Sequence, residues 1–384
     1  MKFEFATAAR IVFGRGSLRE LGAISAGFGA RAIVVAGGPA ALAAGAVELL
    51  AAQGVAGTVH VARGEPTLDG VRAGAAAARA VGADLVVAIG GGSVIDCGKA
   101  IAALVANGGD PLDYLEVVGQ GRPIALPSLA CIAVPTTAGT GSEVTRNAVI
   151  ASPAHRVKAS LRSPHLLPRV ALVDPELTVG VPPAVTAATG MDALTQLIEP
   201  LVSARANPLT DALCREALRR GAGALERACR DGSDVAAREA LSFAALCGGL
   251  ALANSGLGAV HGFAAPIGGM FEAPHGAVCA RLLGPVIDAN LRALRQRDPD
   301  NPARQRYDEV ARIVTGRADA VGDDAAQWAR SIARELGIPP LSAYGLGEGA
   351  VMDVVAAAQK ASSMQANPVR LTADELGAVL RAAI

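Results

Sequence analysis

Five consecutive apolar residues, Leu85 to Ile89, run directly into Gly90, Gly91 and Gly92. A short unbroken apolar run bounded by turn residues reads as a strand buried on both faces. Similar runs recur along the first half of the chain. Arg10 to Phe13 leads into Gly14, Ala30 to Ala36 stops at Gly37-Gly38-Pro39, Gly57 to Ala62 follows, and Ser128 to Val134 ends at Pro135. Between them lie stretches of helical character: Ser17 to about Ala26, Leu42 to Gln53, Leu68 to Val81, and a helix opening at Ser93. Alternation of this kind predicts a mostly parallel sheet with helices on its faces, an α/β domain over about residues 1–180. Ligands of such sheets sit beyond the carboxyl ends of the strands. Three loops leave on that side: Gly37-Gly38, Gly90 to Ser93, and Pro135 to Glu143.

After about Val181 the strand-like runs stop. Long helical patterns follow over Ala184 to Val202, Pro208 to Arg227 and Asp234 to Ala253, and continue to the C-terminus. The segment Leu177 to Pro183 is rich in proline and glycine, as linkers are. Residues 181–384 therefore read as a second, all-helical domain.

Composition narrows the function classes. Lys plus Arg and Asp plus Glu each number 35, so formal charge is zero, and no basic block offers a field to nucleic acid or acidic membranes. Aromatic residues make up only 3%, too few for base-stacking platforms. Mean hydropathy is high at +0.37. Charged residues or paired glycines nevertheless interrupt each long apolar run, which argues against a membrane span. The first residues, Met-Lys-Phe-Glu-Phe-Ala-Thr, lack the apolar core of a signal peptide. Six cysteines (Cys97, Cys131, Cys214, Cys229, Cys247, Cys279) are scattered, with no C-x-x-C pair. They read as reduced, buried small side chains in a cytoplasmic protein.

The glycine turn after the central strand has the makings of a phosphate cradle. Glycines let backbone approach a ligand, Ser93 can cap the following helix, and a helix N-terminus presents free N–H groups. The standard nucleotide motifs fit incompletely. Ile95 occupies the last glycine position of G-x-G-x-x-G, and five residues separate Gly92 from Gly98-Lys99-Ala100 where a P-loop wants four and then Ser or Thr. A β–α turn with no ligand stays open on this ground. Pro135-Thr-Thr-Ala-Gly-Thr-Gly-Ser-Glu-Val-Thr145 adds hydroxyls and bare N–H groups at the same edge, though such groups also serve plain turns.

In the helical half, Asp192 and Gln196 stand four apart and so share a helix face. His261 and His275 are flanked by small apolar residues. A carboxylate, an amide oxygen and two imidazoles form a divalent-ion set if they converge; each alone also suits a hydrogen-bonded core position.

Four segments carry a resemblance: Gly90-Gly-Gly-Ser-Val-Ile-Asp96, Pro135 to Thr145, Gly190-Met-Asp-Ala-Leu-Thr195 and Pro274-His-Gly276. Their order and spacing, from Phe13-Gly-Arg-Gly16 to Asn367-Pro-Val369, resemble the iron-containing (group III) alcohol dehydrogenases. The resemblance implies an N-terminal NAD(P)-binding domain, a helical metal-binding domain as in dehydroquinate-synthase-like architectures, an active site in the cleft between them, and a homodimer. By position, Gly37, Gly91, Gly92, Ser93, Asp96, Thr136, Thr137 and Thr140 would serve the cofactor. Lys158 would face the nicotinamide ribose and join the catalytic group. Asp192, Gln196, His261 and His275 would hold Fe²⁺ or Zn²⁺.

Three departures stand out. The family usually has His where Gln196 stands, and an amide oxygen is a poorer ligand for iron or zinc. A further family histidine is Ala265 here, so proton relay falls to water or a ribose hydroxyl. The second strand often ends in Asp; Gly37-Gly38 removes the charge that would repel a 2′-phosphate, so NADPH is admitted beside NADH. The expected activity is interconversion of an alcohol with an aldehyde or ketone, with Phe263 and Phe271 shaping the pocket. A metal-independent keto-acid reductase of the maleylacetate reductase kind, and a catalytically impaired dinucleotide-binding protein, are the alternatives.

Overall fold

The computed structural model describes residues 2–155 and 157–384. The chain divides into two compact units. One comprises residues 6–137 and 141–178; the other comprises residues 1–5, 138–140 and 179–384.

Among the described residues the first unit holds eight strands: β1 (Arg10–Phe13), β2 (Arg31–Ala36), β3 (Ala56–Val61), β4 (Leu85–Gly90), β5 (Ala130–Pro135), β6 (Asn147–Ser152), β7 (Val157–Arg162) and β8 (Val170–Val173). Six form one sheet in the order β1-β8-β5-β4-β2-β3, and every pairing in it is parallel. Helices α1 (Leu21–Ala26), α2 (Ala40–Ala51), α3 (Leu68–Ala80), α4 (Gly92–Asn107) and the short α5 (Pro111–Tyr114) belong to the same unit. All six residues of β4 are buried, as its unbroken apolar run requires. Ile33, Val35, Val86 and Ala88 pack into one apolar cluster with α3 and α4, whereas Val34, Leu85, Val87 and Ile89 pack into another with α1 and α2. Alternate residues of a strand face opposite sides, so the sheet is the middle layer of three.

Three features differ from the sequence expectation. β6 and β7 form an antiparallel hairpin over residues for which the sequence pattern predicts no element. β8, only four residues long, fills the gap between β5 and β1. Ser93 also does not cap α4: Gly91 is the N-cap, with extended backbone, and no side chain caps that end.

The second unit is helical: α6 (Pro183–Val202), α7 (Pro208–Arg230), α8 (Val235–Ser255), α9 (Ala259–Met270), α10 (His275–Arg297), α11 (Ala303–Thr315), α12 (Gly322–Glu335), α13 (Val351–Ala358) and α14 (Ala373–Arg381). Fifteen of the twenty residues of α6 are buried, which marks it as the central helix. By length and mean hydropathy alone α8 would suffice to cross a membrane, yet 67% of that window is buried inside the fold. Its Arg238 is buried and donates to Thr186 Oγ1 and to the carbonyls of Val181 and Gly232, so α8 is a core helix tied to the start of α6.

Candidate metal centre and nucleotide edge

The glycine turn sits where the strand order reverses. β2 and β4 are neighbours, and the chain leaves them toward opposite edges of the sheet: β2 continues to β3 on one side, β4 to β5 on the other. The crevice at such a switch point is the usual ligand site of an open α/β sheet. The loops after β2 and β4 meet there. The Gly37 N–H donates to the Ile89 carbonyl at 3.1 Å, and a Cβ on Gly37 would lie 2.4 Å from Val94 Cγ2. The loop after β5 joins them, because Thr136 N–H donates to the Gly90 carbonyl at 3.0 Å. A Cβ on Gly91 would stand 3.4 Å from Thr137 Oγ1. Gly37, Gly91, Gly92, Ser93, Thr136 and Thr137 are thus gathered around the N-terminus of α4. Without a side-chain cap, the first N–H groups of α4 remain for an anion.

Asp96 and Lys99 brace this edge from behind. Lys99 is buried, and its Nζ reaches Asp96 Oδ1 at 2.9 Å, the Ser142 carbonyl at 2.9 Å, Thr145 Oγ1 at 3.1 Å and the Asn147 carbonyl at 2.5 Å. Asp96 also accepts from Ser142 Oγ and, at 2.9 Å, from the Val149 N–H. The Asp96 carboxylate is therefore spent on fixing α4 to the loop after β5 and to β6. Lys99 is an internal tie and not a phosphate lysine. Lys158 lies on β7, 3.3 Å from Glu65 Oε1. Thr140 is exposed and clusters with the helical unit.

In the helical unit, three residues far apart in sequence meet. Asp192 is buried in the middle of α6, His261 is buried in the first turn of α9, and His275 opens α10 with its side chain 37% exposed. Asp192 Oδ1 lies 3.2 Å from His261 Nε2 and 3.5 Å from His275 Nε2. Tetrahedral Zn²⁺ with ligand bonds of about 2.0–2.2 Å needs N···O edges of about 3.4 Å. These donors are spaced to share one ion. Gly276 permits the arrangement, since any Cβ there would lie 2.1 Å from the Ala188 carbonyl oxygen of α6.

The orientation of His261 is set by Glu199, a residue the sequence reading missed. Glu199 stands two turns beyond Asp192 on α6. Its Oε2 lies 2.6 Å from His261 Nδ1, and its Oε1 accepts from the Val260 N–H at 2.7 Å. A carboxylate only accepts, so Nδ1 carries a proton and donates it to Glu199, which leaves Nε2 as the atom turned toward Asp192. This is the carboxylate–histidine pairing that supports metal-binding imidazoles. Asn367 completes the start of α9 by accepting from the Ala259 N–H at 3.1 Å. Gly258 is required beside them, because a Cβ there would lie 2.8 Å from Glu199 Oε1.

Cys279 is the second missed residue. It lies one turn after His275 on α10, with Sγ 3.7 Å from both His261 Nε2 and His275 Nε2. The ligand atoms of Asp192, His261, His275 and Cys279 all fall within 4.8 Å of one another. Gln196, one turn beyond Asp192, is buried, and its Oε1 has no hydrogen-bond partner. A buried oxygen without a partner, one helical turn from Asp192, is open to a polar group bound there. Burial works against charge at the rings. The Cys279 sulfur and Asp192 outweigh it, joined at His261 by Glu199, so both imidazoles are raised above their ordinary range. Burial also opposes ionisation of Asp192, but His275 and His261 hold its carboxyl well below the usual carboxylate range. Phe263 is fully buried in the helical core, and Phe271 is partly buried at the end of α9.

A parallel sheet with a glycine cradle at its switch point, together with a carboxylate–imidazole cluster in a helical unit, suits a metal-assisted, dinucleotide-dependent enzyme. Comparison with known proteins identifies the kind. The profile described as "Iron-containing alcohol dehydrogenase" matches residues 8–175, and "Fe-containing alcohol dehydrogenase family, C-terminal" matches residues 186–384. The chain is 36% identical to alcohol dehydrogenase 4 of Schizosaccharomyces pombe, over 85% of this chain and 76% of that one. It is 37% identical to the 1,3-propanediol dehydrogenase of Klebsiella pneumoniae, over 83% and 80%. The solved structure of sulfoacetaldehyde reductase from Bifidobacterium kashiwanohense, in complex with NAD⁺, superposes with a TM-score of 0.86 at 29% identity, covering 100% of this chain and 99% of that one. The chain belongs to the iron-containing alcohol dehydrogenase family. It is an alcohol/aldehyde oxidoreductase of that family, which uses NAD(P) and iron or another divalent metal.

Proposed function

We propose that Asp192, His261 and His275 hold the divalent ion, and that the N-terminus of α4 with Gly91, Gly92 and Ser93 receives the diphosphate of NAD(P). The observation that carries the reading is the meeting of Asp192 Oδ1 with two imidazole Nε2 atoms at 3.2 and 3.5 Å. When bound, the ion supplies Lewis acidity to the C–O group and the nicotinamide supplies or accepts hydride. Asp192 brings the negative charge that a dication needs in a buried site. Glu199 keeps the Nε2 lone pair of His261 directed at it. Gln196 Oε1 offers an acceptor for a polar group bound there. Asp96 holds the loop after β5 against α4, with Thr136 and Thr137 on the nicotinamide side and Thr140 beyond them; Lys158 faces the nicotinamide ribose. With Gly37-Gly38 at the end of β2, no carboxylate disfavours a 2′-phosphate, so NADPH serves beside NADH. We further propose a cytoplasmic homodimer. Free thiols at all six cysteines support the reducing compartment.

The test is elemental content plus turnover. Protein purified without chelators should hold about one iron or zinc per chain. It should oxidise NADH or NADPH against an aldehyde panel. Asp192→Ala should lose metal and activity together; unchanged turnover in that variant would rule out the ion's role. Turnover of keto acids alone, without metal, would favour a maleylacetate-reductase-like enzyme. Nucleotide binding with no turnover of any carbonyl would mark an impaired protein.

A further inference from the structure

We propose that Cys279 is a direct ligand of the ion, so that one carboxylate, two imidazoles and one thiolate hold it, with the thiolate taking the place that Gln196 fills poorly. The inference rests on the metal reading above and adds a residue to it.

Three observations converge. The first is distance. Tetrahedral Zn²⁺ with Zn–S of about 2.3 Å and Zn–N of about 2.0–2.1 Å sets S···N edges of about 3.6 Å. Cys279 Sγ stands 3.7 Å from each Nε2, which matches that edge at both imidazoles, and its sulfur lies within 4.8 Å of the Asp192 donor. The second is ring orientation. Glu199 accepts from His261 Nδ1, which turns Nε2 toward Asp192 Oδ1 and toward the Cys279 sulfur. The third is register. Cys279 follows His275 by one helical turn on α10, as Gln196 follows Asp192 on α6. Each helix therefore offers a pair of donors from one face.

Binding is balanced in protons. The Cys279 thiol loses its proton to solvent as the sulfur–metal bond forms, with no change of oxidation state. A thiolate is a softer donor than an amide oxygen and favours zinc or cobalt over magnesium or manganese. Gln196 is left outside the ligand set.

The chelator-stripped full-length protein, reloaded anaerobically with Co²⁺, should show a near-ultraviolet sulfur-to-cobalt charge-transfer band beside the ligand-field bands. Cys279→Ser and Cys279→Ala should lose the charge-transfer band, with folding checked by circular dichroism. Gln196→Ala should keep it. Zinc affinity by competition with a coloured chelator should fall in Cys279→Ala by more than the ~10–100-fold that a partner outside the coordination sphere contributes. In Gln196→Ala it should fall by less than about tenfold. Cobalt bound to the wild type without the sulfur band overturns the thiolate and leaves the Asp–His–His site standing. Failure of the wild type to bind cobalt or zinc at all overturns both. A band that survives in folded Cys279→Ser also overturns the assignment, since the sulfur is then another one.

Discussion

Glu199 Oε2 and His261 Nδ1 lie 2.6 Å apart in the buried core of the helical unit. The same carboxylate caps the start of α9 through Val260 N–H. One residue thus fixes both the helix that carries His261 and the rotation of its ring. Glu199→Gln keeps an acceptor but removes the charge, and Glu199→Ala removes both. Metal affinity should fall about 10–100-fold in Glu199→Ala and less in Glu199→Gln. Chelator competition on the two purified variants checks this. Equal affinity across wild type and both variants would mean that the ring is held by packing alone.

The Lys99–Asp96 pair predicts a stability effect rather than a chemical one. Lys99 has no exposed side-chain surface, and Asp96 has 14%. Removing one partner of such a buried pair strands the other. Lys99→Met should lower the unfolding free energy by roughly 3–5 kcal/mol. The Ser142 and Asn147 carbonyls lose their donor in the same step. Denaturant melts of wild type and variant measure it. A loss below about 1 kcal/mol would place the tie among ordinary exposed ion pairs.

The sheet was legible because β2, β4 and β5 are buried on both faces and their sequences are continuously apolar. The β6–β7 hairpin was not. It buries only alternate residues, and its other positions hold Asn147, Lys158 and Arg162, so no continuous apolar run marks it. At the metal centre, Asp192 and the two histidines stood out as polar residues among small apolar ones. Glu199 did not, because a carboxylate near a helix end ordinarily faces water. Its only signal was the spacing of Asp192, Gln196 and Glu199 along one face. Cys279 was hidden by chemistry: a cysteine in an apolar helix reads as a small hydrophobe. What placed it was the meeting of α6, α9 and α10, a packing fact that local pattern does not carry. Ser93 misled for a related reason. The turn ends one residue pair earlier, at Gly91, and the cap position is left without a side chain.

Gly37 and Val94 make a paired test of the nucleotide edge. A Cβ on Gly37 would approach Val94 Cγ2 to 2.4 Å, far inside contact distance. Gly37→Ala should therefore shift the start of α4 or the loop after β2, and weaken NAD(P)H binding. Val94→Ala removes the colliding methyl groups. The double variant should recover most of the affinity that Gly37→Ala loses, which is coupling of a kind that a double-mutant cycle resolves. Fluorescence titration with NADH and NADPH reads the four proteins. Additive losses in the double variant would show that Gly37 matters for another reason.

Glu143 gives the fold a pH dependence of its own. It is buried in the loop that Lys99 holds, and burial pushes its carboxyl up to about 7, against the pull of its own backbone N–H and of Lys99. A carboxyl raised in the folded state binds its proton more tightly there than in the unfolded chain. Its contribution is fully present below the unfolded value of about 4.5 and is lost as pH rises through about 7. Glu143→Gln removes this titration and leaves every other group in place. The stability of the wild type should therefore fall relative to Glu143→Gln between those two values, by as much as ~3 kcal/mol, and run parallel above them. Urea unfolding of both proteins across this range, in the same metal-loading state, measures the difference. Curves that stay parallel throughout would show that Glu143 ionises in the folded protein as it does in the unfolded chain.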